Sequence, residues 1–341
     1  MKAYITKIEY VLPENKVDNP KNRLTKKTGI LSRHICAENE IASDLALRAA
    51  EKLLGTDIPR DSIDYLILCT QSPDYYLPTT ACILQDKLGL STSCGAFDYN
   101  LGCSGYIYGL SMAKGLIESG QAENILLLTA ETYSKYINPK DNTVYPLFGD
   151  AATATLIQGV DVEKSGLEGF VLGTNGAGYE NLIVPVGGMK QRVAETEVEE
   201  TTDEYGNYRT NRDLYMHGSA ISDFALEVVP ETVNKILEKT GMNKDEIDYY
   251  VFHQANKFML QFLQIKCDLL DYPYWNDVKE YGNTVSCSIP IALVDMMKAN
   301  QDKDIKKVMS IGFGVGLSWG GCVIDMRQLQ QAEFIGGERG L

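Results

Sequence analysis

Residues 41–69 read IASDLALRAAEKLLGTDIPRDSIDYLILC, and residues 220–253 read AISDFALEVVPETVNKILEKTGMNKDEIDYYVFH. The two stretches carry the same signals in the same order. Ser-Asp-x-Ala-Leu stands at Ser43–Leu47 and again at Ser222–Leu226. Ile-Asp-Tyr follows at Ile63–Tyr65 and again at Ile247–Tyr249. Between them lie apolar residues at helical spacing, a glycine stop (Gly55, Gly241) and a short acidic turn. The apolar run after each Ile-Asp predicts a buried strand. In this register Cys69 and His253 fall at matching ends of matching strands.

The repeat extends further. Residues 104–119, SGYIYGLSMAKGLIES, have a helical pattern and lead to an apolar run at Ile125–Thr129. Residues 288–300, SIPIALVDMMKAN, have another and lead to Val308–Gly312. Alternating helices and mostly apolar strands predict an α/β chain of two pseudo-symmetric halves, with layered sheets and helices. The expected halves are 1–165 and 166–326. Residues 190–213, which include VEETTDEYGNYRTNRD, are polar and read as a surface loop or insertion in the second half. Residues 327–341 form a tail outside the repeat.

Composition narrows the functional classes. A length of 341 residues suggests two domains or one duplicated one. The net charge of −14 argues against a nucleic-acid binder, which needs a basic face. No apolar run reaches the roughly 18 residues of a membrane span. The start MKAYITKIEY lacks a secretory pattern, so the cytoplasm is the expected location. Eight cysteines occur without any CxxC pair, beside three histidines. That spacing does not suggest a structural metal site or a disulfide framework.

Three residues stand out chemically. Cys103 lies in a Gly-Cys-Ser-Gly turn (102–105) between a β-like run and a helix. A helix N-terminus is expected to lower the thiol pKa and favour a nucleophilic thiolate; a buried small residue is the plain alternative. His253, in HQAN (253–256), ends a predicted strand, where α/β proteins collect functional groups. It could equally be a hydrogen-bonded core residue. Asn283, in GNTVSCSIP (282–290), has the look of a helix cap. The repeat adds weight to all three. Cys103 and Asn283 each precede the second helix of their half, and His253 ends the strand before it, so a duplicated fold brings them to one edge. Two glycine-rich segments, FGDAA (148–152) and GFGVGLSWGG (312–321), match neither a phosphate loop nor a dinucleotide fingerprint.

The order GCSG, FGDAA, HQAN, GNTVSCSIP, GFGVGLSWGG resembles the β-ketoacyl-acyl carrier protein synthase III family, of the thiolase fold. Lys27-Thr-Gly-Ile30 with Arg33, and Pro78-Thr-Thr-Ala-Cys82, add to the resemblance, which covers about residues 1–326. The resemblance implies a Cys103–His253–Asn283 triad, a homodimer and a decarboxylating Claisen condensation with malonyl-acyl carrier protein. It implies an oxyanion hole from the backbone N–H groups of Cys103 and Gly314. It places Leu77, Phe148, Met216 and Phe313 at the substrate pocket, Leu77 from across the dimer. No metal or cofactor is called for; acyl-coenzyme A or acyl-carrier protein would be a substrate.

The donor side departs from the family pattern. Arg23 stands where relatives have the tryptophan that stacks on adenine, and Asn142 where they have its partner arginine. Lys27 replaces an arginine, and Phe258, beside Lys257, replaces another. Lysine does not reproduce the bidentate and stacking contacts of arginine. The acyl donor, coenzyme A or carrier protein, is therefore left open. Lys21, Arg23, Lys26, Lys27, Lys257 and Lys266 are candidates for docking an acidic carrier. A non-decarboxylating acyltransferase on the same scaffold is the alternative function, and a non-catalytic partner subunit a further one.

Overall fold

The computed structural model describes residues 1–329. Most of the expected tail, from residue 330 onward, lies outside them. The first repeat motif folds as the helix Ala42–Leu54 followed by the strand Tyr65–Cys69. The second folds as the helix Gly218–Thr240 followed by the strand Tyr249–Phe252. Gly241 closes its helix at φ 70°, returning its N–H to the carbonyls of Leu237 and Glu238. That left-handed cap is the reason glycine stands there.

Two main sheets result. The first runs, edge to edge, Lys2–Val11, Ala151–Val160, Asn124–Glu131, Tyr65–Cys69, Gly95–Tyr99. The second runs Leu167–Thr174, Ser318–Asp325, Lys307–Gly314, Tyr249–Phe252. Both start with two antiparallel pairings and continue with a parallel one. The fifth strand of the first sheet is reduced in the second to one parallel bridge, Tyr250 with Tyr274. The duplication seen in the sequence is thus a duplication of pairing pattern.

Between the sheets lie the helices Gly105–Glu118 and Ser288–Ala299. Ile107, Leu110, Ile289, Leu293 and Met297 share one core with Ile5, Leu127, Val251 and Val308 of the strands. The helix Ala42–Leu54 covers the outer face of the first sheet through Leu45, Ala49 and Leu53. The helix Gly218–Thr240 covers the second through Val229, Val233 and Ile236. The layering is helix, sheet, helices, sheet, helix. Strands covered on both faces explain the continuous apolar run Leu66-Ile-Leu68, all fully buried.

The polar stretch 190–213 is not merely a loop. It contains a hairpin, Glu200–Thr202 with Tyr208–Thr210. The hairpin is fastened to the 139–142 segment. Tyr208 N donates to Lys140 O at 3.3 Å, and Asn142 N donates to Asn207 Oδ1 at 3.2 Å. Among the described residues no helix is long and apolar enough to cross a membrane.

Candidate active site

Cys103 sits two residues before the helix Gly105–Glu118 and is only 5% exposed. Burial pushes its thiol up to about 12, and the nearby Glu131 carboxyl pushes the same way. The backbone N–H groups of Cys103 and Val315 pull it down. The expected lowering of the thiol is therefore corrected: desolvation of the thiolate outweighs the two backbone N–H groups that favour it.

His253 follows directly on the strand Tyr249–Phe252, its N–H bonded to Ile311 O at 2.8 Å. Burial lowers its pKa from 6.5 to about 3, so the ring is neutral. Its Nδ1 lies 2.7 Å from Ser288 Oγ, which also accepts from Gln254 N at 3.4 Å. The hydroxyl hydrogen is then free to donate to Nδ1. With the hydroxyl donating to Nδ1, the ring hydrogen stands on Nε2, the nitrogen left to face a substrate. Phe313 meets the ring edge-on, with centroids 5.3 Å apart.

Asn283 is held across the two halves. Its N–H donates to Leu147 O at 2.8 Å, and Gly149 N donates to its carbonyl at 3.0 Å. Its Oδ1 accepts from Val285 N at 2.9 Å, which leaves the Nδ2 hydrogens to donate. The FGDAA segment is thus a latch. A Cβ at Gly149 would meet Tyr281 O at 2.4 Å, and buried Asp150 accepts from Cys36 N at 2.8 Å and Ser134 N at 2.9 Å.

The glycine-rich turn closes over the thiol. A Cβ at Gly314 would stand 2.9 Å from both Cβ and Sγ of Cys103, and one at Gly312 would stand 2.5 Å from Cys103 O. Contacts that short are repulsive, so backbone alone fits there. Gly314→Ala is expected to slow acylation of Cys103 by at least about tenfold, since a displacement of ångström order at a reacting atom costs that much or more. Intact-mass time courses check this, and an unchanged rate would refute the close approach.

A cavity of about 480 Å³ joins these parts. Cys103, His253, Asn283 and Gly314 line it, with Phe148, Met216 and Phe313. Lys27 and Phe258 line it where it reaches the surface, the ammonium 4.4 Å from the ring centroid. Tyr133, Leu182 and Met259 also line it and carried no signal in the sequence. Leu77 does not; it is 87% exposed, next to exposed Tyr75 and Tyr76. Arg23 lines instead a separate cavity of about 490 Å³ with Asn142 and with Tyr205 of the hairpin. Lys257 lays its stem against Gly29, and Lys266 is exposed at the end of its helix.

Known proteins resemble the chain over nearly its whole length. The family model described as 3-oxoacyl-[acyl-carrier-protein] synthase III matches residues 97–176, and its C-terminal counterpart matches residues 237–326. A β-ketoacyl-[acyl-carrier-protein] synthase III of Clostridioides difficile is 35% identical over 333 residues, covering 95% of this chain and 98% of that protein. The chain belongs to the 3-oxoacyl-[acyl-carrier-protein] synthase III family. A family member of Caldanaerobacter subterraneus is 34% identical, covering 91% of this chain and 91% of its own. Among solved structures, a 3-oxoacyl-(acyl-carrier-protein) synthase III superposes with a TM-score of 0.91 at 43% identity, covering 95% of this chain and 100% of that one. A 3-oxoacyl-(acyl-carrier protein) synthase of Burkholderia xenovorans gives 0.87 at 36% identity, covering 97% and 95%. The thiolase-like fold expected from the sequence is the fold these family members have. The first family match contains Cys103 and Phe148; the second contains His253, Asn283 and Gly314.

Proposed function

We propose that the chain is a condensing enzyme that joins an acyl group to malonyl-acyl carrier protein, releasing CO2. The observation that carries this reading is one cavity holding a thiol, a neutral imidazole donor and a carboxamide donor beside a glycine backbone. Acyl transfer comes first. The Cys103 sulfur adds to the donor thioester, the donor thiol leaves, and the thiol hydrogen of Cys103 ends on it. The N–H groups of Cys103 and Gly314 are the proposed holders of the tetrahedral oxyanion.

Condensation follows. Malonyl loses its carboxylate as CO2, and the electron pair passes into an enolate on the thioester oxygen. His253 Nε2–H and Asn283 Nδ2–H are the proposed donors to that oxygen. A donor must carry its hydrogen without carrying a charge that would be lost on titration, and the lowered pKa of His253 suits this. The enolate carbon then attacks the Cys103 thioester, and the thiolate leaves and takes up a proton.

Several finer points belong to the same proposal. The docking face for the carrier is the exposed Lys26, Lys27 and Lys257, which the contact of Gly29 with Lys257 brings together, with exposed Lys266 at the far end of the helix Lys257–Lys266. It is a basic patch on a chain of net charge −14, which suits an acidic partner. The active form is a homodimer in which the partner's Leu77 reaches the acyl pocket; the exposure of Tyr75, Tyr76 and Leu77 supports that. The two halves divide between the strands Ala151–Val160 and Leu167–Thr174, which enter different sheets. The enzyme works in the cytoplasm without a bound cofactor.

The test is intact mass after incubation with panels of acyl-coenzyme A and acyl-carrier protein, then with malonyl-carrier protein. An acyl adduct on Cys103 that malonyl-carrier protein removes, with a β-ketoacyl product, supports the proposal and identifies the donor. An adduct that is not removed, or that passes to an alcohol or amine instead, replaces it with simple acyl transfer.

A further inference from the structure

Glu131 is fully buried and has no part in the chemistry above. It ends the strand Asn124–Glu131. Ser286 Oγ donates to its Oε1 at 2.7 Å, and Gln71 N donates to its Oε2 at 3.1 Å. One partner comes from the second half of the chain and the other from the first. Each leads toward the site. Gln71 takes the Tyr133 hydroxyl on its side-chain oxygen and the Tyr136 hydroxyl on its backbone oxygen. A Cβ on Gly102, next to the thiol, would stand 2.7 Å from Gln71 Oε1 and 3.3 Å from Val285 Cγ1. Ser286 lies between Val285 and Ser288, and Ser288 bonds His253.

Val285 itself has φ 55°. A β-branched residue in that region is strained and persists only where its surroundings fix it. Two side-chain bonds do so here: Asn283 Oδ1 with Val285 N, and Ser286 Oγ with Glu131. The Asn283 carboxamide cannot keep its aim if this turn relaxes.

We propose that Glu131 is a positioning residue for the condensation, whose carboxyl, braced by Gln71 and Ser286, holds the strained turn that aims Asn283 and the Ser288–His253 pair into the cavity. This rests on the roles assigned above to Cys103, His253 and Asn283. Burial pushes the carboxyl up to about 8, toward the protonated form. A neutral group of the same shape can then replace it. In Glu131→Gln the amide oxygen takes the Gln71 N–H, and the amide N–H donates to Ser286 Oγ, so that contact is kept with its direction reversed and the serine hydroxyl rotated away. Glu131→Ala and Ser286→Ala each remove the brace.

Two rates, read by intact mass on the full-length protein, test this: acylation of Cys103, and discharge of the acyl group by malonyl-carrier protein. Glu131→Ala and Ser286→Ala are expected to slow discharge at least about tenfold while acylation stays within about threefold, the signature of a lost transition-state donor. Glu131→Gln is expected to discharge within about threefold of the unsubstituted protein. The proposal is overturned if the brace-less variants discharge normally, if both rates fall together, or if glutamine is no better than alanine. Ser286→Ala and Glu131→Gln decide the matter if Glu131→Ala does not fold. An unsubstituted protein that acylates but is never discharged overturns the condensation reading, and this proposal with it; that failure shows before any substitution is made.

Discussion

Cys103→Ala is expected to show no acyl adduct with any donor and to lose condensation by at least about a thousandfold, the order found when a covalent nucleophile is removed. The loss is this large because no neighbouring thiol can take over. Cys69 is fully buried, its sulfur engaged with Leu101 O at 3.0 Å. Cys287 is fully buried, with Thr129 and Ala151 O around its sulfur. Burial raises the pKa of both thiols, and neither lines the cavity. Stability should change little, since alanine only trims a sulfur from a site that already opens on a cavity. An adduct that persisted in the variant would move the nucleophile elsewhere and end the mechanism proposed here. The raised pKa of Cys103 carries its own expectation. Acylation should speed up as pH rises through the neutral range toward 9, because the thiolate fraction grows while its pKa near 12 keeps it small.

The four helices of the repeat, its duplicated strand pattern and the edge where Cys103, His253 and Asn283 meet are legible in the sequence; the helices Thr80–Lys87 and Lys257–Lys266, outside the repeat, are not. Periodicity marked the helices at 42–54 and 218–240, and the doubled Ile-Asp-Tyr marked the strands after them. Once two halves share a pattern, the segments that lead into their inner helices, which carry Cys103 and Asn283, meet at the edge where His253 follows its strand. What stayed hidden depends on contacts between distant segments. Ser288 meets His253 Nδ1 from 35 residues away, and nothing near either residue announces it. Nothing in the sequence around Glu131 singles it out; its partner Ser286 stands 155 residues on. The thiol pKa was misjudged for the same reason. Local sequence reports the helix end, but not the turn around Gly312 and Gly314, which folds over Cys103 from the far end of the chain and helps bury the thiol. The hairpin inside 190–213 was missed because its two strands are only three residues each and polar on both faces, which erases the alternation that marks a strand.

His253→Ala and Asn283→Ala are expected to part the two half-reactions. Acylation of Cys103 should survive, because neither side chain is assigned to that oxyanion. Discharge by malonyl-carrier protein should fall about 10²–10³-fold in each, the usual cost of removing one donor to a developing oxyanion. The double variant should lose less than the product of the two, since both donors serve one oxygen. The pH dependence follows from the His253 shift, with the sign fixed by which form works. The neutral ring is the donor, and its pKa is lowered to about 3 by burial. Discharge should therefore show no acid limb from His253 between pH 7 and about 5, where an unperturbed imidazole would already have protonated. Folding carries the opposite face of the same shift. Below the ordinary imidazole pKa the unfolded chain binds a proton that the folded chain refuses. The stability due to the neutral buried ring is thus present above pH 6.5 and is lost as pH falls from there toward 3. His253→Ala should flatten that part of the stability profile while slowing discharge about 10²–10³-fold. A discharge rate that fell with a midpoint near 6.5 would show that the ring titrates freely and is not the buried neutral donor described.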